Sequence, residues 1–214
     1  MKIFLKALHV EILKTTHSSI VRASFIAFGL APVMGAVFIL MIQFPESFTH
    51  AGGLFAKANT MNFENNWSSY LGILSQAVGV GGILIFGFVA SWIFGREYSD
   101  GTAKDLLSLP TSRTTIIKAK FALYTLWCLS LAVSNLCLAF IFGLLLNLPA
   151  MDFQGMLLQL SGYGMTTLLT ILVGTPSAFF ALYGKGYLAP LGFVALTLVF
   201  AQVIAAAGYG TYFP

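Results

Sequence analysis

Ionisable side chains are scarce in this chain, and many of those present fall in one short stretch. Residues 95–121 read GREYSDGTAKDLLSLPTSRTTIIKAKF and carry Arg96, Glu97, Asp100, Lys104, Asp105, Arg113, Lys118 and Lys120. The whole chain has only eleven basic and seven acidic residues. Most familiar chemistries lack their parts. No G-x-x-x-x-G-K-[ST] run is present to cradle a phosphate; Gly184-Lys185 lacks both the upstream glycine and the following hydroxyl. There is no H-E-x-x-H, and His9, His17 and His50 are scattered without ligand spacing. Cys128 and Cys137 are turned to opposite faces of one helical run, about 13.5 Å apart along its axis. They cannot bond to each other and read as small packing residues. No Asp, Glu, Lys or Arg sits in the middle of an apolar run, where a proton relay would need one. The chain is therefore expected to be no enzyme, with no catalytic residue, no metal and no cofactor of its own.

The elements that hold the charged stretch are set by composition. The chain is 58% hydrophobic and 8% charged, against roughly a quarter charged in a soluble domain. Mean hydropathy is +0.88. The class is an integral membrane protein, all-α, because open strands in lipid would leave backbone groups unpaired. Five uncharged runs, approximately 23–42, 71–94, 121–147, 156–183 and 187–207, are long enough to span. With the N-terminus in the cytoplasm, ten Lys and Arg fall inside and only Lys57 outside, a strong positive-inside bias. The charged stretch is then a cytoplasmic loop between spans two and three. Residues 1–20 are a candidate interfacial helix: Met1, Phe4, Leu5, Leu8 and Ile12 share an arc, with Lys2, Lys6 and His9 opposite. Glu11 and Leu13 blur that pattern. Pro32, Pro176 and Pro190 each remove a backbone donor and can kink a span. One membrane domain, 1–214, accounts for the chain.

Within the loop, span two is expected to end near Gly95. Thr102-Ala103-Lys104-Asp105 fits a capping box, and Gly101 permits a tight turn before it. A short helix over 103–109 would carry Leu106, Leu107 and Leu109, stopped by Pro110. Thr111 or Ser112 would cap the next helix. A few leucines framed by both signs of charge suit docking into a groove of another protein. A solvated turn whose charges only set topology is the plainer reading. Among mid-span polar residues, Gln76, Asn135, Gln159 and Thr166 are candidates to line a substrate path; bonding between helices is the commoner use of such groups. The small residues Ser75, Gly79, Gly82, Gly87 and Ser91 permit close helix approach. The residues alone also fit a stand-alone channel or carrier, or a membrane immunity protein that sequesters without transport.

Arg96-Glu97-Tyr98, Gly101-Thr102, Leu106-Leu107, Pro110, Ser112-Arg113 and Lys120 together resemble the first cytoplasmic loop of ABC-2 type transporter permeases. The similarity is to the small bacterial permeases of bacitracin-resistance and lantibiotic-immunity exporters. The resemblance implies that 95–120 holds a coupling helix contacting a separate ABC ATPase subunit. Contacts are expected at Glu97, Tyr98, Gly101, Thr102, Lys104, Leu106, Leu107, Pro110 and Arg113, and a hinge ion pair at Arg96 and Glu97. It further implies that the partner binds ATP and Mg, that a second permease copy or paralogue completes the pair, and that nucleic acid plays no part. The expected location is the bacterial cytoplasmic membrane. The family has six spans where this chain shows five. The tail 208–214 resembles the loop before the last helix, so a final helix is expected to be missing, either by truncation of the gene or because the sequence is incomplete.

Overall fold

A computed structural model describes residues 2–16, 18–48, 64–102 and 112–209. The helices, in order, are α1 (Lys2–Thr16), α2 (Ser19–Gln43), α3 (Trp67–Ser99), α4 (Arg113–Leu145), α5 (Phe153–Gly174), α6 (Pro176–Tyr183) and α7 (Leu188–Ile204). A single 3₁₀ turn, Pro45–Phe48, follows α2, and a wider turn, Ala205–Tyr209, follows α7. The described residues contain no strand. Starts are set by side chains that accept the first free backbone N–H groups: Ser18 for α2, Asn66 for α3, Ser112 for α4 and Asp152 for α5.

Among the described residues, five segments are long and apolar enough to cross a membrane: Ser19–Gln43, Trp67–Ser99, Arg113–Leu145, Phe153–Tyr183 and Leu188–Gly208. The fourth is broken at Thr175, where Pro176 opens α6 at its first turn. Span two runs past Gly95 as unbroken helix to Ser99, a turn further than expected from the charge pattern. With 33 residues each, α3 and α4 are roughly 50 Å long. Roughly 30 Å suffices for the hydrocarbon layer, so their charged ends project beyond it.

Helix α3 is the axle. Of its most apolar stretch 56% is buried, against 11% for α7. Tyr70, Leu71, Leu74, Val78, Phe86, Val89 and Ile93 form its fully buried stripe, packed on Phe28 and Ile39 of α2 and on Tyr124, Cys128 and Leu131 of α4. The small residues of α3 do what their spacing suggests. A side chain at Gly82 would press on Thr170 of α5, and one at Gly87 would collide with Val194 of α7.

Lipid offers helices little hydrophobic reason to associate, so interhelical hydrogen bonds and close packing matter more. Two such bonds repair backbone defects. Pro32 has no N–H, which leaves the Phe28 carbonyl one turn earlier without its helical donor. Asn135 Nδ2 of α4 donates to that oxygen at 3.0 Å. At the α5 break the Thr175 N–H turns to the Leu172 carbonyl. The Ile171 oxygen so released accepts from Tyr124 Oη at 3.0 Å. Tyr163 Oη donates to the Ala132 carbonyl at 2.8 Å and Tyr70 Oη to that of Pro32 at 2.9 Å.

Candidate functional site

The charged ends of α3 and α4 lie side by side, and α1 packs along α4 and reaches α3 through its ion pairs. Along α1 the face turned inward is Phe4, Leu8, Glu11, Ile12 and Thr15; Leu5, expected on that face, is 55% exposed. Glu11 sits in the middle of the inner face. It is buried, as are Arg96 and Glu97 on α3 and Lys120 on α4.

These side chains form one network. Arg96 Nη2 donates to Glu11 Oε2 at 2.6 Å, and Lys120 Nζ to Glu97 Oε1 at 2.6 Å. Lys120 Nζ also lies 3.5 Å from Glu11 Oε2 and donates to the Ile93 carbonyl at 2.7 Å. Arg96 Nε stands 3.6 Å from Glu97 Oε1. Lys14 closes the rim, 2.8 Å from Glu11 Oε1 and 3.8 Å from Glu97 Oε1. The Arg96 guanidinium lies over the Trp92 ring, 4.7 Å from its centre. Two buried carboxylates thus meet two buried cations. Ions taken out of water persist only when paired and hydrogen-bonded in this way. Burial alone would push the Glu11 carboxyl up; Lys120, Lys14 and Arg96 outweigh it and hold the group below its ordinary value.

The expected hinge pair of Arg96 and Glu97 is present but is the weaker part of the network, since each residue has a closer partner on another helix. Glu97 was also expected on the docking surface. Its carboxylate is buried against Lys120 and offers no outward contact. Tyr98, Gly101, Thr102 and Arg113 are exposed. Gly101, at φ +73°, turns the chain out of α3, a conformation few other residues adopt cheaply. Ser112 caps α4 by accepting from the Thr115 N–H. Lys104, Leu106, Leu107 and Pro110, with the rest of the expected 103–109 helix, lie outside the described residues. The turn between α6 and α7 braces the same end: any side chain at Gly95 would press on the Gly186 carbonyl, and Ser91 Oγ reaches the Tyr187 carbonyl at 3.4 Å.

Glu11 and Lys14 formed no part of the expected site, and Lys120 was expected as one of the residues carrying the family resemblance, with no partner assigned to it. The signal was the irregularity in α1: Glu11 is the one acid in that helix and stands on its inner arc.

Toward the other end, α3, α5, α7 and the turn after α7 line a half-open cleft of about 540 Å³, bordered by Ser75, Gln76, Gly79, Val80, Ile83, Thr166, Leu198, Ala201, Gln202 and Ala205. Its lining carries hydroxyl and amide groups but no charge. Gln76 and Thr166, two of the expected path residues, meet here. The other two lie elsewhere. Asn135 is committed to the Phe28 carbonyl, and Gln159 Nε2 donates to Ser68 Oγ at 2.9 Å.

Comparison with known proteins agrees with this architecture. The family model described as ABC-2 family transporter protein matches residues 7–203. A relative is the bacitracin transport permease protein BCRB of Bacillus licheniformis, 25% identical over 133 residues. That match covers 62% of this chain and 64% of the relative. No solved structure matches. A match running from α1 into α7, on a bundle of membrane-length helices, places this chain in the ABC-2 transporter family.

Proposed function

We propose that the chain is the permease subunit of an ATP-binding cassette exporter. It moves an apolar or amphipathic substrate, such as a peptide antibiotic or drug, with ATP hydrolysed by a separate subunit. The observation that carries this reading is the rigid base under the charged loop: α3 and α4 end in a buried ion network on either side of residues 100–112. A loop with so firm a base can pass a push into two spans; a merely solvated turn needs no such support. The ATPase partner supplies ATP and Mg, and two permeases pair with two ATPase subunits. Closure of the ATPase pair would move both loops, tilt α3 and α4, and switch access between the two sides of the bacterial cytoplasmic membrane. The N-terminus and the charged loop face the cytoplasm. The uncharged cleft at Gln76 and Thr166 fits a substrate path, since drug-sized ligands occupy mostly apolar pockets with a few placed polar groups.

Cysteines at the exposed positions Tyr98 and Arg113 test the docking. In membranes of the native host, both are expected to crosslink to an ABC ATPase subunit, and the purified pair to show ATPase activity stimulated by the cargo. Transport by this chain alone in liposomes would instead establish a stand-alone carrier.

A further inference from the structure

We infer that Glu11 is a positioning residue that locks α1 onto the ends of α3 and α4, so that the three helices move as one body. The source of the motion rests on the docking reading above; the lock does not. Arg96, Glu97 and Lys120, at 6%, 6% and 4% exposure, hold one more cation than anion. Glu11, 4% exposed, brings the buried group to neutrality. Its Oε2 meets a cation on each neighbouring helix, Arg96 on α3 at 2.6 Å and Lys120 on α4 at 3.5 Å. The acid therefore bridges two helices rather than pairing within one. Lys14, with its side chain 37% exposed, meets Glu11 from the rim at 2.8 Å and stands outside the buried set.

The consequence is mechanical. If α1 lifted away, it would strand an uncompensated cation between α3 and α4, which is costly in a low-dielectric setting. Helix α1 must accordingly follow any displacement of those ends. It leads within three residues into α2, which begins at the Ser18 cap. The first span is thereby tied to movements of the second and third. The lipid-surface role expected of α1 concerns its outer face, where Lys6 and His9 are exposed; the lock belongs to the inner one.

The test uses the full chain in nanodiscs, with Cys137→Ala and Thr15→Cys and a water-soluble maleimide as the probe. Thr15 is 5% exposed on the inner face of α1, while native Cys128 is fully buried in the bundle and reports its integrity. With Glu11 intact, position 15 is expected to be protected. Glu11→Gln is expected to speed its labelling about tenfold or more, leaving Cys128 unlabelled. Glu11→Asp keeps the charge and retains most of the protection. Adding Arg96→Gln to Glu11→Gln restores neutrality, and protection should return toward the parent; a residue acting only by its shape would not be rescued so. The inference is overturned if Glu11→Gln leaves position 15 protected, if Arg96→Gln worsens the loss, or if Cys128 labels in step with position 15. Failure of the Tyr98 crosslink would remove the docking reading and leave these labelling results to decide the lock on their own.

Discussion

Glu97 and Glu11 share one pocket and the same three cations, but the nearest buried cation is Lys120 for Glu97 and Arg96 for Glu11, and their variants should differ accordingly. Glu97→Ala leaves Lys120 without its 2.6 Å partner. Breaking a buried pair costs about 3–5 kcal/mol. Transport should be abolished while the protein still inserts, as read by uptake assays at matched expression. Glu11 adds a dependence on acidity. Its folded pKa lies below the ordinary 4.5, so the carboxylate contributes stability that is fully present above pH 4.5 and is lost as pH falls through the folded value. The groups facing it are Lys14 on its own helix, Arg96 and Glu97 on α3, and Lys120 on α4. Thermal unfolding in detergent below pH 4.5 should therefore fall less steeply for Glu11→Gln than for the parent. Asn135 offers an independent check. Asn135→Leu removes the donor to the Phe28 carbonyl and should cost about 1–2 kcal/mol. Pro32→Ala gives that carbonyl a backbone N–H again. In the Pro32→Ala background the same substitution should be nearly free, and a full additive cost in the double variant would refute the repair role.

Among the elements, α3 decides how the spans meet. Its glycines let α5 and α7 approach closely, and Gly87 faces Val194 directly. Gly87→Val should lower stability by about 1–3 kcal/mol through overpacking, and Val194→Ala in the same molecule should recover part of it. Equal unfolding temperatures for the parent and Gly87→Val would show that α7 is free to move aside. Close approach to α3 was suggested beforehand by the small residues at Ser75, Gly79, Gly82, Gly87 and Ser91. The extent of its last turns was not. Charged residues from Arg96 onward read as the end of a span, yet they continue the helix because ion pairs from α1 and α4 replace water around them. Helix α1 formed over the expected residues, but the use of its inner face was hidden for a related reason. An amphipathic arc is read by sorting apolar from charged, and here the inner face has a carboxylate at its centre.

For the whole molecule, the sidedness and the power source are the matters to measure. Ten of eleven Lys and Arg lie on one side of the proposed topology. Cysteines at His9 and Arg113 should therefore label from the cytoplasmic side, and one at Phe153, 82% exposed at the opposite end of the bundle, from outside. Labelling of Arg113→Cys from the external medium of intact cells would reverse the orientation and remove the ATPase contact with it. Large apolar side chains cover the outside of the bundle, Leu144 and Leu158 among them at 71% exposure each. In water that surface would aggregate; in a bilayer it is the face presented to lipid.

Composition and local periodicity were enough to establish the helices, the spans and the Ser112 cap. Each of these follows from residues near one another in the chain: twenty-odd apolar positions, or a Ser before a helix. Partnership was different. That Glu11 meets Arg96 across 85 residues and comes near Lys120 across 109, and that Asn135 answers a defect made by Pro32, depend on which helices lie side by side. Buried charges and orphaned carbonyls create a demand for partners that sequence can reveal, but only the packing of α1, α2, α3 and α4 decides which side chain meets it.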